Sequence, residues 1–79
     1  MGHVRQNVVG ERVKEARSRL RPPVTQRELS KRLSKLGVSI DRAGIAKIET
    51  GVRGVLDYEV VAISKALGVT SAWLLNSGE

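Results

Sequence analysis

Residues 25–49 read TQRELSKRLSKLGVSIDRAGIAKIE, and this stretch decides the fold. Thr25, followed three residues later by Glu28, forms a capping box, which is typical of a helix start. The leucines that follow recur at the spacing of one helix face: Leu29, Leu33 and Leu36. Gly37 is predicted to end this helix, because glycine readily adopts the left-handed conformation found just past helix ends.

A second helix is predicted after a short turn. Asp41 is its expected N-cap and Gly51 marks its expected end. Three apolar residues fall on one side of it and are expected to face the core: Ile45, Ile48 and Val52. Two short helices joined by a glycine-containing turn indicate a helix-turn-helix. In that motif the second helix enters the major groove of DNA with its N-terminal residues against the base edges.

The rest of the chain supplies three further predicted helices. The first is predicted from apolar residues at helical spacing, before the prolines of Arg21-Pro22-Pro23: Val9, Val13, Ala16 and Leu20. Asp57 is the expected cap of the fourth helix and Thr70 that of the fifth. The sequence therefore predicts an all-α, five-helix fold. Residues 1–7 are expected to form an N-terminal arm and residues 8–76 a single helix-turn-helix domain.

Composition narrows the possible functions. The chain has 79 residues and a net charge of +6, with +8 on residues 1–53 and −2 on residues 54–79. A small domain with one basic end suits a polyanion such as nucleic acid. There is no cysteine and a single histidine, His3, and no catalytic, phosphate or metal motif is visible, so we expect no enzyme activity, cofactor or metal. No stretch has the pattern of a membrane span or signal peptide, and we expect a cytoplasmic protein.

The outward face of the predicted third helix carries groups that can read DNA. By helical periodicity, Ala43, Lys47 and Thr50 point away from the core side. Arg42 lies in the first turn, where a long side chain can reach forward. An arginine or lysine can donate to guanine O6 and N7, and an alanine methyl can contact the methyl of thymine. Gly44 lies at the edge of this face, where its missing side chain would allow close approach to DNA or a neighbouring helix. A plain solvated helix face is the alternative interpretation.

Three motifs together resemble one known family. They are TQRELSKRL at residues 25–33, IAKIETG at residues 45–51 and ALGVTSAWLL at residues 66–75. In this order they resemble the Cro and lambda-repressor-like helix-turn-helix family, also called XRE-family regulators. The resemblance covers residues 9–75 and implies a five-helix DNA-binding domain that usually acts as a dimer.

The resemblance also implies roles on DNA. Gln26 would contact the phosphate backbone, and Thr50 and Arg53 would face phosphates at the end of the third helix. Four residues would occupy the base-reading positions: Arg42, Ala43, Gly44 and Lys47. Arg27 completes the candidate DNA-binding set as a positive charge next to Gln26. The turn between the second and third helices is longer than is common in the family. A longer turn would change the angle at which the third helix docks. Polar residues are common at the base-reading positions of the family, and Ala43 and Gly44 are poorer readers, so we expect few direct base contacts and more recognition of DNA shape and backbone.

Other residues are assigned to structure. Arg17 and Glu49 lie beside the apolar faces of their helices, and in the resembling family residues at these positions form a partly buried salt bridge. We therefore expect a structural pair here rather than DNA contacts. Trp73, Leu74 and Leu75 are expected in the core or in a dimer contact, although Trp73 could alternatively stack on a base.

The leading hypothesis is a sequence-specific transcriptional regulator that binds double-stranded DNA. It would act as a repressor, a homodimer on an inverted-repeat operator. The alternative is an antitoxin-type DNA-binding protein whose main partner is a toxin protein, since the resembling family includes such antitoxins. No membrane partner is expected, because the apolar faces of the predicted helices all fit one core.

Overall fold

The computed structural model describes residues 8–75, which form five α-helices and no strand. In chain order the helices are α1 (Gly10–Arg19), α2 (Gln26–Lys35), α3 (Arg42–Glu49), α4 (Asp57–Leu67) and α5 (Ser71–Leu75). The predicted all-α, five-helix fold is confirmed. The predicted arm at residues 1–7, with His3, and residue 76 of the predicted domain lie outside the described residues.

Three helix starts have the side-chain caps that the sequence predicts. Thr25 Oγ1, Asp41 Oδ1 and Thr70 Oγ1 each accept the backbone N–H three residues later, at 3.0, 2.8 and 3.0 Å. Each bond satisfies an N–H that has no partner within its own helix. The first two caps fix where α2 and α3 begin, and with them the ends of the turn between these helices.

The start of α4 differs from the prediction. Asp57 is not the cap but the first helical residue, and its Oδ1 accepts the N–H of Tyr58. Leu56 is the N-cap residue, and a leucine side chain has no acceptor to offer. Glu59 acts instead from inside the helix, because its Oε1 accepts the Leu56 N–H at 3.0 Å. The predicted position of this cap is therefore wrong by one residue.

The core is shared by all five helices of the described region. Its largest fully buried side chains are Val9, Val13, Leu29, Leu33, Ile45, Ile48, Ile63 and Leu74. Each such side chain contributes about 1.5–3 kcal/mol by leaving water. α1 packs against α3, α4 and α5, while α2 packs against α3 and α4, and α4 against α5. Because α3 rests on both α1 and α2, its position on the surface is fixed from two sides.

Two residues predicted on core-facing stripes lie at the surface. Val52 is 66% exposed, and Leu36 is close to half exposed. α3 ends at Glu49, and Gly51, with a φ of 81°, turns the chain away before Val52. The helical periodicity that placed Val52 beside Ile48 does not extend past this turn, so that prediction is wrong. Leu36 is the C-cap residue of α2 and follows the last helical turn.

Candidate nucleic-acid interface

α3 presents a polar side to solvent and an apolar side to the core. Ile45 and Ile48 are fully buried and hold the helix against its neighbours. Arg42, Ala43 and Lys47 are exposed, as their helical positions predict. The accessible surface of α3 therefore carries a guanidinium, a methyl and an ammonium group.

The N-terminus of α2 opens beside the first turn of α3. Thr25, Gln26, Arg27 and Arg42 line one shallow groove there. The first N–H groups of a helix carry partial positive charge, so this groove suits a phosphate. Arg27 and Arg42 are exposed, as is Lys47 on α3. Arg27, Arg42 and Lys47 form no ion pair with any residue that the structure describes. We call these three residues the cationic surface.

Beside the groove, Arg17 and Glu49 form a largely buried ion pair. Arg17 Nε donates to Glu49 Oε2 at 2.7 Å and Nη2 donates to Oε1 at 2.9 Å, and the side chains are 14% and 5% exposed. Arg17 Nη1 also donates to the Val24 carbonyl at 2.9 Å. One guanidinium thus joins α1, the end of α3 and the residue before the α2 cap. Removing one partner of such a pair leaves a buried charge uncompensated, which costs about 3–5 kcal/mol.

Gln26 is attached to this ion pair. Its Nε2 donates to Glu49 Oε1 at 3.1 Å, so the first residue of α2 contacts the last residue of α3. The family resemblance predicts a phosphate contact for Gln26 but not this internal contact. No local spacing indicates it, because the two residues meet only when the helices pack.

The family resemblance implies that Arg53 faces a phosphate. In the structure, Arg53 also has a partner within the protein. Its Nη1 and Nη2 donate to Glu59 Oε1 and Oε2, both at 3.0 Å, and Nη1 also donates to the Gly54 carbonyl at 2.8 Å. The Arg53 side chain is 33% exposed and that of Glu59 4%. The hydrogen bonds between them raise the pKa of Arg53 and hold the pKa of Glu59 below its usual range. Arg53 therefore ties the segment after α3 to the first turn of α4.

Thr50 and Gly44 border the exposed face of α3. The Thr50 hydroxyl lies 3.2 Å from two carbonyl oxygens in the last turn of its own helix, and the residue is exposed. A Cβ added to Gly44 would lie 2.9 Å from Ile40 Cγ2 and 3.2 Å from Asp41 Oδ1. The close approach at Gly44 is thus to the turn that begins α3, and not to a neighbouring helix.

The three residues assigned to the core or dimer contact have three different environments. Leu74 is fully buried, and Leu75 is half exposed. Trp73 lies against α1, where the guanidinium carbons of Arg12 and Arg19 are 4.5 and 6.0 Å from the centroid of its ring. Such cation–π contacts hold α5 against α1. These contacts give Trp73 a structural role within the fold.

A group of exposed apolar side chains follows α3, and no motif in the sequence predicts their exposure. Val52, Leu56 and Tyr58 are each more than half exposed. We call these three residues the apolar segment. The signal in the sequence is Gly51, whose φ of 81° ends the periodicity of α3 before Val52. Exposed apolar side chains are the groups that protein contacts bury, so this segment is a candidate contact surface.

Neither a metal cluster nor a membrane-spanning helix occurs among residues 8–75. No group of three or more His, Cys, Asp or Glu residues in this range could hold a metal ion. None of the helices within it combines the length and apolar content that crossing a bilayer requires.

The family described as helix-turn-helix matches residues 24–74, which is more than half of the chain. The matched region runs from the residue before the α2 cap into α5 and includes the whole cationic surface. No curated protein and no solved structure matches the chain. The two helices, the turn between them and the family match agree, and the chain belongs to the helix-turn-helix family of Cro- and lambda-repressor-like, XRE-type DNA-binding regulators.

Proposed function

We propose that this chain is a sequence-specific regulator that places α3 in the major groove of double-stranded DNA. The observation that carries the proposal is the cationic surface, in which Arg27, Arg42 and Lys47 have no ion-pair partner within the described residues. Like charges that share a surface repel one another and so oppose folding. Binding of phosphates offsets this repulsion and releases the counterions of the DNA, which favours association.

Base reading is assigned to the exposed face of α3. Arg42 and Lys47 are the donors for guanine, and the Ala43 methyl fits a thymine methyl. Gly44 offers only backbone at its position. Two donors and one methyl provide few direct base contacts, so DNA shape and flexibility would supply a larger part of the specificity.

Phosphate contacts are assigned to the groove at the start of α2 and to the end of α3. Gln26 and the first N–H groups of α2 provide donors on one side. The exposed Thr50 hydroxyl provides one on the other when its hydrogen turns from the carbonyl oxygens of α3 to a phosphate. Arg53 is already paired with Glu59 and its side chain is only 33% exposed, so we assign it a smaller part.

We propose further that the regulator is a homodimer that represses by occupying an inverted-repeat operator. Two copies of α3 enter successive major grooves on one face of DNA when they lie about 34–36 Å apart. The apolar segment follows α3 directly, so a two-fold contact there would join the subunits close to their recognition helices. Exposed aromatic and aliphatic side chains such as Tyr58 and Leu56 are the groups that subunit contacts bury.

An unbiased selection from a random duplex library, followed by affinity measurements across salt concentrations, tests the proposal. We expect an enriched inverted repeat with half-site centres about 10–10.5 base pairs apart. The affinity should fall with salt, with a slope of about −0.9 in log K against log salt for each phosphate contacted. Binding that is independent of salt, or a selection without an enriched sequence, would contradict the proposed function.

Matched lysine and arginine variants locate the interface. Arg42→Ala and Lys47→Ala should each weaken binding to the selected duplex by about 1–3 kcal/mol and relax the preference at one position. Lys65→Ala removes the same charge from an exposed site on α4 and should change the affinity little. Equal losses in all three variants would indicate a general charge effect rather than base reading by α3.

A further inference from the structure

We infer that Glu49 is a positioning residue for DNA binding, because the carboxylate that anchors α3 also orients the amide of Gln26 towards the DNA backbone. The inference rests on the proposed function, in which Gln26 contacts a phosphate. It assigns to the buried ion pair a second role besides stability, namely the presentation of a hydrogen-bond donor at the start of α2.

The Glu49 carboxylate is held at both oxygens. Oε2 accepts from Arg17 Nε at 2.7 Å, while Oε1 accepts from Arg17 Nη2 at 2.9 Å and from Gln26 Nε2 at 3.1 Å. Arg17 is itself fixed, since its Nη1 donates to the Val24 carbonyl at 2.9 Å. The acceptor that faces Gln26 therefore has little freedom to move.

A carboxylate only accepts hydrogen bonds, so Gln26 must present its Nε2, not its Oε1, to Glu49. The Nε2 atom carries two N–H groups, and the contact with Glu49 uses one of them. A phosphate oxygen also only accepts, so the second N–H of Nε2 is the donor that it requires. Glu49 thus selects the amide orientation that suits a phosphate and orders the side chain before DNA arrives, which removes part of the ordering cost of binding.

Glu49→Gln tests this role without changing the shape of the side chain. An amide at position 49 can donate as well as accept, so the Gln26 amide can flip and turn its oxygen towards the phosphate. The measurement is the affinity for a mixed-sequence DNA duplex at low salt. In the otherwise unchanged chain, Gln26→Ala should weaken binding about fivefold, the effect of one net hydrogen bond. In the Glu49→Gln background, Gln26→Ala should have less than about a twofold effect, since the orienting contact is already lost.

Glu59→Gln is the matched control, because it makes the same change in the other buried arginine–glutamate pair. Glu59 is hydrogen-bonded to Arg53 and to the Leu56 N–H. In this background Gln26→Ala should keep its fivefold effect. Circular dichroism at the assay temperature restricts the comparison to folded protein. An equal effect of Gln26→Ala in all three backgrounds overturns the inference.

A measurement on the unaltered chain covers the case in which Glu49→Gln does not fold. Nitrogen relaxation of the Gln26 side-chain amide, without DNA, should give an order parameter close to that of rigid backbone, about 0.85. A value below about 0.6 overturns the inference. Failure of the unaltered chain to bind any duplex contradicts the proposed function. Normal binding with a Gln26 effect that does not depend on Glu49 contradicts only the positioning role.

Discussion

At residue 44, helix preference and packing oppose each other. Alanine in place of Gly44 would favour the helical conformation of α3 by about 1 kcal/mol. The added Cβ would lie 2.9 Å from Ile40 Cγ2, the branch methyl of a buried side chain, so that side chain or the helix start would have to shift. It would also approach Asp41 Oδ1 at 3.2 Å, and this oxygen caps α3. Glycine is therefore required here by the turn that begins the helix.

We expect Gly44→Ala to destabilise the chain, since the overpacking cost of about 1–3 kcal/mol exceeds the gain in helix preference. At the middle of that range the net loss is about 1 kcal/mol, which should lower the melting temperature by about 4–8 °C. Thermal unfolding followed by circular dichroism measures the change. Ala43→Gly, at the neighbouring exposed position, measures the helix-preference term by itself and should cost about 1 kcal/mol. A higher melting temperature for Gly44→Ala would show that the turn accommodates the methyl.

The residues of the candidate interface could be predicted where helical periodicity alone determines exposure. The exposure of Arg42, Ala43 and Lys47 follows from the burial of Ile45 on the opposite side of α3. The contact between Gln26 and Glu49 could not be predicted in this way. It depends on how three helices meet, and no spacing along the chain encodes it.

Helix boundaries could be predicted where the cap is local in sequence. Thr25 and Asp41 precede their helices and bond forward, so a short motif identifies them. The start of α4 departs from this pattern, because Glu59 reaches back from inside the helix and frees Asp57 from the capping role. The same carboxylate accepts hydrogen bonds from Arg53, so Glu59 connects the segment after α3 to α4.

The hydrogen bonds of the Glu59 carboxylate predict how the stability of the protein responds to acid. These hydrogen bonds hold the pKa of Glu59 below the ordinary value of 4.5, so the unfolded chain takes up a proton at higher pH than the folded chain does. The stability that Glu59 provides is therefore present above pH 4.5 and is lost as the pH falls below that value. We expect Glu59→Gln to cost about 1–3 kcal/mol near neutral pH, towards the lower end because Arg53 is partly exposed.

Thermal unfolding of both proteins across pH tests this expectation. The difference in melting temperature between the unaltered chain and Glu59→Gln should be largest near pH 7 and should shrink as the pH falls below 4.5. Glu28→Gln, which removes an exposed pairing with Arg32, should change stability by less than about 1 kcal/mol. A Glu59→Gln difference that stays constant down to acid pH would show that the carboxylate charge does not contribute.

For the molecule as a whole, net charge indicates the kind of partner but not the binding face. Several basic residues of α1 and α2 have structural contacts in the described region. Arg12 and Arg19 lie against Trp73, Arg19 also pairs with Glu15, and Arg32 donates to the Ala66 carbonyl at 2.9 Å. The net charge includes these residues as well as those of the cationic surface. Which charges have contacts within the fold depends on which helices meet, so only the packed structure distinguishes the two groups.

The proposed dimer links the apolar segment to the cationic surface, because an inverted repeat is read by two copies of α3. Tyr58→Glu places a charge in the proposed two-fold contact, and two such charges would face each other across the symmetry axis. The substitution lies in the first turn of α4, where an acidic side chain favours the helix, so the fold should persist. We expect the dimer dissociation constant to rise by about tenfold or more in sedimentation equilibrium.

Leu36→Glu puts the same charge on a similarly exposed apolar residue at the end of α2 and should leave dimerisation unchanged. If Leu36→Glu rather than Tyr58→Glu separates the subunits, the contact lies at the end of α2 and the apolar segment has another role.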